Sequence, residues 1–97
     1  MIDQKSTNVR TQDKKTIVRL YETDIVSFDD ESITLNHGGF KTATTKRRMN
    51  QVSEAFNLRF KVIQEDFIWF VEILAYKNDS LISTREFSKE GKVIISR

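Results

Sequence analysis

Only one stretch of this chain has the periodicity of a helix, and strand-like segments lie on both sides of it. Met49, Val52 and Phe56 recur at spacings of three and four, which is the apolar stripe of an amphipathic helix. The pattern predicts a helix over Thr44–Asn57. A single helix has to bury its stripe against a neighbouring layer, and the flanking segments alternate as strands do. The sequence therefore predicts an α+β fold.

Three short segments before the helix, residues 16–22, 24–28 and 32–36, predict an antiparallel meander. In the third, Ile33 and Leu35 alternate with polar residues and are expected to face the core. After the helix, residues 59–64, 66–76, 81–87 and 93–97 read as strands in C-terminal hairpins, the last one around Gly91. The segment 66–76 is apolar on both faces, which is typical of a central strand. We expect a mostly antiparallel sheet with the helix packed on one face.

The length of 97 residues predicts one domain, over residues 15–97, and the polar residues 1–14 are expected to form a flexible arm. The chain has no cysteine, which excludes disulfides and thiolate metal sites. Neither a secretory leader nor a membrane span is predicted, because no apolar run is long enough. The phosphate-binding, nucleophile-elbow and zinc-protease motifs are missing, and His37 is the only histidine. We therefore expect no enzyme, no cofactor and no metal.

The positive charge is concentrated in one part of the sequence. Residues 46–61 contain five Lys or Arg and one Glu, a net charge of +4, although the whole chain carries only +2. Lys46, Arg47 and Arg48 stand together where the helix is predicted to begin, with Thr44 or Thr45 as its N-cap. A helix N-terminus already carries partial positive charge and unpaired N–H groups. Cations at that position predict an anion-binding site, for which phosphate is the natural ligand. The alternative interpretation is a solvated basic helix face that binds nothing. A helix start a few residues earlier, at Thr42, would also move the three cations towards the helix interior.

The segment Gly38–Asn50 resembles one found in a set of small proteins of tailed bacteriophages. The matching positions are Gly38, Gly39, Phe40, Thr42, Thr44, Thr45, Lys46, Arg48, Met49 and Asn50. The resemblance extends over about residues 17–71, with Phe40 where many members have Trp. It implies a phage origin and a location in the host cytoplasm, and it implies no mechanism.

Two functional hypotheses follow from these features. The first is a non-enzymatic accessory protein that binds nucleic acid, DNA or RNA, through the basic helix. The residues predicted to contact nucleic acid are Thr44, Thr45, Lys46, Arg47, Arg48, Asn50, Gln51, Arg59 and Lys61. In the second hypothesis, the same helix binds an acidic patch of a host protein and modulates or inhibits that protein. A structural role in the virion is a third hypothesis.

Overall fold

The computed structural model describes residues 6–75, 78 and 80–97. In this part of the chain, one helix and eight strands form two antiparallel sheets, with strand orders β1-β2-β3-β4-β8 and β5-β6-β7. The elements are β1 Thr7–Gln12, β2 Lys15–Leu20, β3 Thr23–Phe28, β4 Ser32–Asn36, α1 Ala43–Phe56, β5 Phe60–Glu65, β6 Ile68–Leu74, β7 Leu81–Glu86 and β8 Lys92–Ser96. The predicted α+β class is confirmed.

The predicted meander is present as β2, β3 and β4. Ile33 and Leu35 are buried, as the alternation in β4 requires. The turn between β3 and β4 is closed by Asp29, whose Oδ1 accepts the backbone N–H groups of Glu31 and Ser32. These hydrogen bonds lower the pKa of the Asp29 carboxyl group. Asp29 thus has a structural role in this turn.

The N-terminal residues differ from the predicted flexible arm. Thr7–Gln12 form β1, which pairs with β2 along its whole length, with Val9 opposite Val18. β1 is an edge strand and leaves most of its side chains exposed, so it needs backbone pairing but little apolar alternation. The sequence therefore contained no strand signal here. Residues 1–5 of the predicted arm lie outside the described residues.

The last two strands do not form the predicted terminal hairpin. β7 pairs with β6, whereas β8 crosses to the other sheet and pairs with β4. In this register Val93 lies opposite Leu35 and Ile95 opposite Ile33, so the apolar face of β8 extends the core face of the meander. Burial of that face decides the sheet to which β8 belongs. β6 is the central strand of its sheet, as predicted.

Helix α1 packs against β2, β3 and β5, and its Met49 and Val52 are fully buried. Its C-terminal boundary agrees with the sequence: Asn57 is the C-cap, in the left-handed conformation. Its N-cap is Thr42, the earlier start that the sequence left open, rather than Thr44 or Thr45. Thr42 has an extended backbone, and its Oγ1 accepts the N–H of Thr45 at 3.2 Å.

Candidate ligand-binding surface around helix α1

The three adjacent cations do not crowd the first turn of the helix. Because α1 begins at Ala43, Lys46 is the fourth helical residue, and Arg47 and Arg48 follow in the second turn. The unfavourable interaction of a cation with the helix dipole decreases within the first turn. The predicted electrostatic conflict is therefore weaker than the sequence suggested. The first turn does, however, contain no acidic residue.

The side chains of the three cations lie in different environments, because successive helical residues point about 100° apart. Arg48 is only 4% exposed. Its Nε donates to Thr7 Oγ1 at 3.1 Å and its Nη1 to Gln51 Oε1 at 3.4 Å. Arg48 thus connects the helix to the first residue of β1. Arg47 is exposed and Lys46 is half-buried, so these two remain near the surface.

Asn50 and Ser53 cover the edge of strand β5. The Asn50 side chain accepts the N–H of Val62 at 2.7 Å and donates to the Val62 carbonyl at 3.1 Å. Ser53 Oγ accepts the N–H of Phe60 and donates to its carbonyl. Two helix side chains therefore replace a neighbouring strand and satisfy the backbone at the sheet edge. The structure gives the amide of Asn50 this structural role, and both of its polar atoms are engaged.

The two predicted threonines lie at the start of α1 and differ in accessibility. Thr45 is 3% exposed, and its hydroxyl lies 3.1 Å from that of Thr42. Thr44 is half-buried and lines a surface cleft. The structure provides acceptors for the N–H groups of Thr45 and Lys46. It records none for Ala43 or Thr44 among the residues it describes, as expected for the first N–H groups of a helix.

Arg59 and Lys61 border an open groove of about 380 Å³ between the C-terminal half of α1 and strand β5. Arg59 is partly engaged there, since its guanidinium donates to the Ala75 carbonyl at 3.0 Å and to Asn57 Oδ1 at 3.5 Å. Lys61 is exposed. Glu54 also lines the groove, which reduces its net positive charge. The structure thus brings Asn50, Arg59 and Lys61 to one groove.

A second cleft, of about 200 Å³, lies between the β2–β3 turn and the N-terminus of α1. Its lining is almost entirely apolar and includes Leu20 and Ile25, and its rim is formed by Tyr21 and Phe40. These two rings are 66% and 63% exposed, respectively. Large apolar side chains that remain this exposed beside a cleft indicate a binding surface. We call this the aromatic cleft.

Sequence reasoning did not select Phe40 as a site residue, although a signal was present in the glycines before it. The backbone N–H of Phe40 donates to the His37 carbonyl at 2.9 Å, which closes a tight turn. Gly38 in this turn has a φ of 61°, and a Cβ there would lie 2.7 Å from Thr23 Cγ2. The turn therefore requires glycine and fixes where the Phe40 ring leaves the surface.

His37 is the other support of this turn. Its ring is buried against Trp69 and Phe87, with centroid distances of 5.5 and 5.6 Å. Its Nδ1 accepts the N–H of Gly39 at 3.0 Å. Burial, followed by the nearby charge of Lys41, lowers the pKa of His37. The neutral imidazole, which can accept this hydrogen bond, is therefore favoured. Besides Lys41, the charged groups around the adjoining cavity are Glu86 and Lys89.

A loss of stability in mild acid is expected from His37. The pKa of His37 in the folded protein is lower than the ordinary 6.5, so between these two pKa values the unfolded chain binds more protons. The free energy of unfolding is highest above pH 6.5 and falls as the pH drops from there towards the folded-state pKa. Urea titrations at about pH 7.5 and about pH 5.5 measure the difference.

The matched variant for that experiment is His37→Gln, in which the difference between the two pH values is expected to shrink. Asp24 and Asp29 do not interfere, because their pKa values are lowered from 3.8 and their contributions disappear only in stronger acid. An unfolding free energy that is equal at the two pH values in the unsubstituted protein would contradict this prediction.

Two further observations limit the chemistry of the described residues. No three His, Cys, Asp or Glu side chains come together there in a way that could hold a metal ion. No helix in this part of the chain is long and apolar enough to cross a membrane.

Comparison with known proteins identifies the family. A model of the Kyanoviridae Gp96 protein family matches residues 1–94. The chain belongs to this family. It is thus a phage protein, and the matched residues include β1, α1 and both rims of the aromatic cleft. Neither the curated proteins nor the solved structures contain a match. The Gly38–Asn50 segment as a specific mark of the family stays a prediction.

Proposed function

We propose that this phage protein is a non-enzymatic accessory protein that binds nucleic acid in the host cytoplasm, through the surface around the N-terminal half of α1. The observation that carries the proposal is the combination of exposed aromatic rings and cations at one end of the helix. Phe40 and Tyr21 stand beside the helix N-terminus, Lys41 follows Phe40, and Lys46 and Arg47 lie in the next helical turn. Stacking rings next to cations are typical of nucleic-acid-binding surfaces.

This proposal modifies the predicted set of contacts. Thr44, Lys46, Arg47 and Lys61 keep accessible surface and remain proposed contacts. Gln51 belongs to α1 itself, and Arg59 borders the groove at the C-terminal half of the helix; both are half-buried and contribute through the exposed parts of their side chains. Arg48, Asn50 and Thr45 support the surface from below, because their polar groups bind β1, β5 and the helix cap.

The double variant Lys46→Ala/Arg47→Ala is expected to weaken binding and to reduce its salt dependence. Each cation that neutralises a phosphate contributes about 0.7–0.9 to the slope of log K against log salt. Loss of two such contacts lowers the slope by about 1.4–1.8. Fluorescence anisotropy with a labelled oligonucleotide at several salt concentrations measures both effects.

The control variant is Lys14→Asn/Lys15→Gln, which removes two positive charges at the opposite end of β2 from Tyr21. Asn is used because Lys14 has a φ of 66°, a conformation that Asn tolerates. Unchanged affinity and slope are expected for this control. If Lys46→Ala/Arg47→Ala behaves like the control, the proposed surface is wrong; if the unsubstituted protein binds no oligonucleotide at low salt, the proposed function is wrong.

A host protein with an acidic patch that meets the basic helix is the alternative partner, and one observation favours a protein partner. All six residues of β7 are exposed, and Leu81 and Ile82 leave apolar surface there. β7 is also an edge strand, with backbone groups open for pairing. A stoichiometric acidic protein captured from nuclease-treated host lysate, together with no binding of oligonucleotides, would support this alternative over nucleic acid.

A further inference from the structure

We infer that the aromatic cleft receives an unpaired base, so that the ligand is single-stranded rather than duplex nucleic acid. This inference rests on the proposed function and specifies its substrate class. The faces of the bases in a duplex are covered by their stacked neighbours, whereas a single strand presents them to any aromatic ring. A surface built around two protruding rings therefore distinguishes the two forms.

The shape and lining of the aromatic cleft fit one inserted base. The side chains of Leu20 and Ile25 close its apolar floor, and Tyr21 and Phe40 stand on its rim. A basic groove alone binds the phosphates of a duplex and of a single strand, and it favours the duplex, whose charge density is higher. The apolar interior of the aromatic cleft adds a site that does not bind phosphates but can bind the face of a base.

The charges around the cleft favour one side of it for the phosphates of such a strand. Glu22 lines the cleft next to Tyr21 and repels phosphate on that side. The start of α1 contributes Thr42, Thr44 and Thr45 to the lining of the cleft, its first turn contains no acidic residue, and Lys46 follows in the chain. A base held between the rings therefore has its phosphates directed towards α1, where the helix dipole is also favourable to them.

The turn that carries Phe40 makes the site rigid before binding. The His37–Phe40 hydrogen bond closes the turn, and a Cβ at Gly38 would meet Thr23, so the turn lies close to β3. A ring that is already positioned loses little conformational freedom when a base stacks on it. The turn therefore fixes the backbone position from which Phe40 presents its ring for stacking.

The experiment compares a labelled thymidine homopolymer with a hairpin duplex of the same number of nucleotides, at one low salt concentration, by anisotropy. Tighter binding of the single strand is expected. Phe40→Leu keeps an apolar side chain and removes the ring, and it is expected to weaken single-strand binding by roughly 5- to 150-fold. Tyr21→Leu is expected to have an effect in the same range.

Phe40→Trp is the conservative variant, because it replaces the phenyl ring with another aromatic ring that can stack on a base. Affinity equal to or above that of the unsubstituted protein is expected for it. Circular dichroism of each variant checks that the fold is intact. Equal affinity for the two forms, or unchanged single-strand affinity in Phe40→Leu, would overturn the inference while leaving nucleic-acid binding in place. Binding of neither form would overturn the proposed function itself.

Discussion

Replacement of Asn50 by alanine is expected to lower the free energy of unfolding by about 2–4 kcal/mol. Asn50 satisfies both the N–H and the carbonyl of Val62, which is buried in β5. Alanine removes both partners at once, and each buried polar group left without a partner costs about 1–3 kcal/mol. No neighbouring strand is available to replace the lost hydrogen bonds, because β5 is at the edge of its sheet. Urea denaturation followed by circular dichroism measures the change.

Two further substitutions make this experiment specific. Glu54→Ala changes an exposed residue of the same helix and is expected to alter stability by less than about 0.5 kcal/mol. Asn50→Asp keeps an acceptor for the Val62 N–H but sets a carboxylate against the Val62 carbonyl, so it should destabilise the protein as Asn50→Ala does. An Asn50→Ala effect no larger than that of Glu54→Ala would contradict the structural role.

The Asn50 experiment also separates stability from binding. Sequence analysis predicted Asn50 as a polar contact to nucleic acid, whereas in the structure its amide is occupied by β5. If the role is structural, Asn50→Ala loses stability but keeps its oligonucleotide affinity under conditions where it remains folded. A loss of affinity in the folded variant would instead favour the contact that the sequence suggested.

The parts of the fold that the sequence predicted correctly depend on local patterns. Ile33 and Leu35 alternate with polar residues, and this two-residue period identifies the buried face of β4 without knowledge of its neighbours. Met49 and Val52 identify the buried face of α1 in the same way. The helix end at Asn57 was also predictable, because Asn readily adopts the left-handed conformation that a C-cap requires.

The predictions that failed depend on contacts between residues far apart in the sequence. Strand β1 is held by pairing with β2 at a sheet edge, and its polar residues give no periodic signal. β7 and β8 belong to different sheets because Val93 and Ile95 of β8 pair with β4. The sequence of β8 alone does not show which strand it pairs with. The sequence left the N-cap open between Thr42 and Thr44 or Thr45, because three threonines lie within four positions and backbone geometry outside the helix decides among them.

The candidate site shows why a cluster of like residues in a sequence is a weak guide to a cluster in space. Lys46, Arg47 and Arg48 are consecutive, yet the helix turns each about 100° from the last, and Arg48 is buried against β1. Conversely, Tyr21 and Phe40 are separated by two strands in the sequence and meet at one cleft. The meander and the turn before α1 bring these two rings together, so only the folded chain presents them as a site.

Gly91→Ala is expected to lower the free energy of unfolding by about 2–4 kcal/mol, because of a steric conflict with His37. A Cβ at position 91 would overlap the buried imidazole ring. His37 cannot easily move away, since its backbone N–H donates to the Gly91 carbonyl at 3.0 Å and its ring packs against Trp69 and Phe87. Overpacking of this kind costs about 1–3 kcal/mol, and the positive φ adds about 1 kcal/mol for any residue with a Cβ.

Gly39→Ala separates these two costs, because the two glycines have nearly the same backbone conformation. Their φ values are 84° for Gly39 and 82° for Gly91, but a Cβ at Gly39 would have no atom within 4 Å. Gly39→Ala should therefore cost only the conformational part, about 1 kcal/mol. The double variant Gly91→Ala/His37→Ala should recover part of the difference, because it removes the ring that the new methyl group meets. Equal losses of unfolding free energy in Gly91→Ala and Gly39→Ala would mean that the imidazole of His37 can move away from the new methyl group. The prediction that His37 is tightly packed would then be wrong.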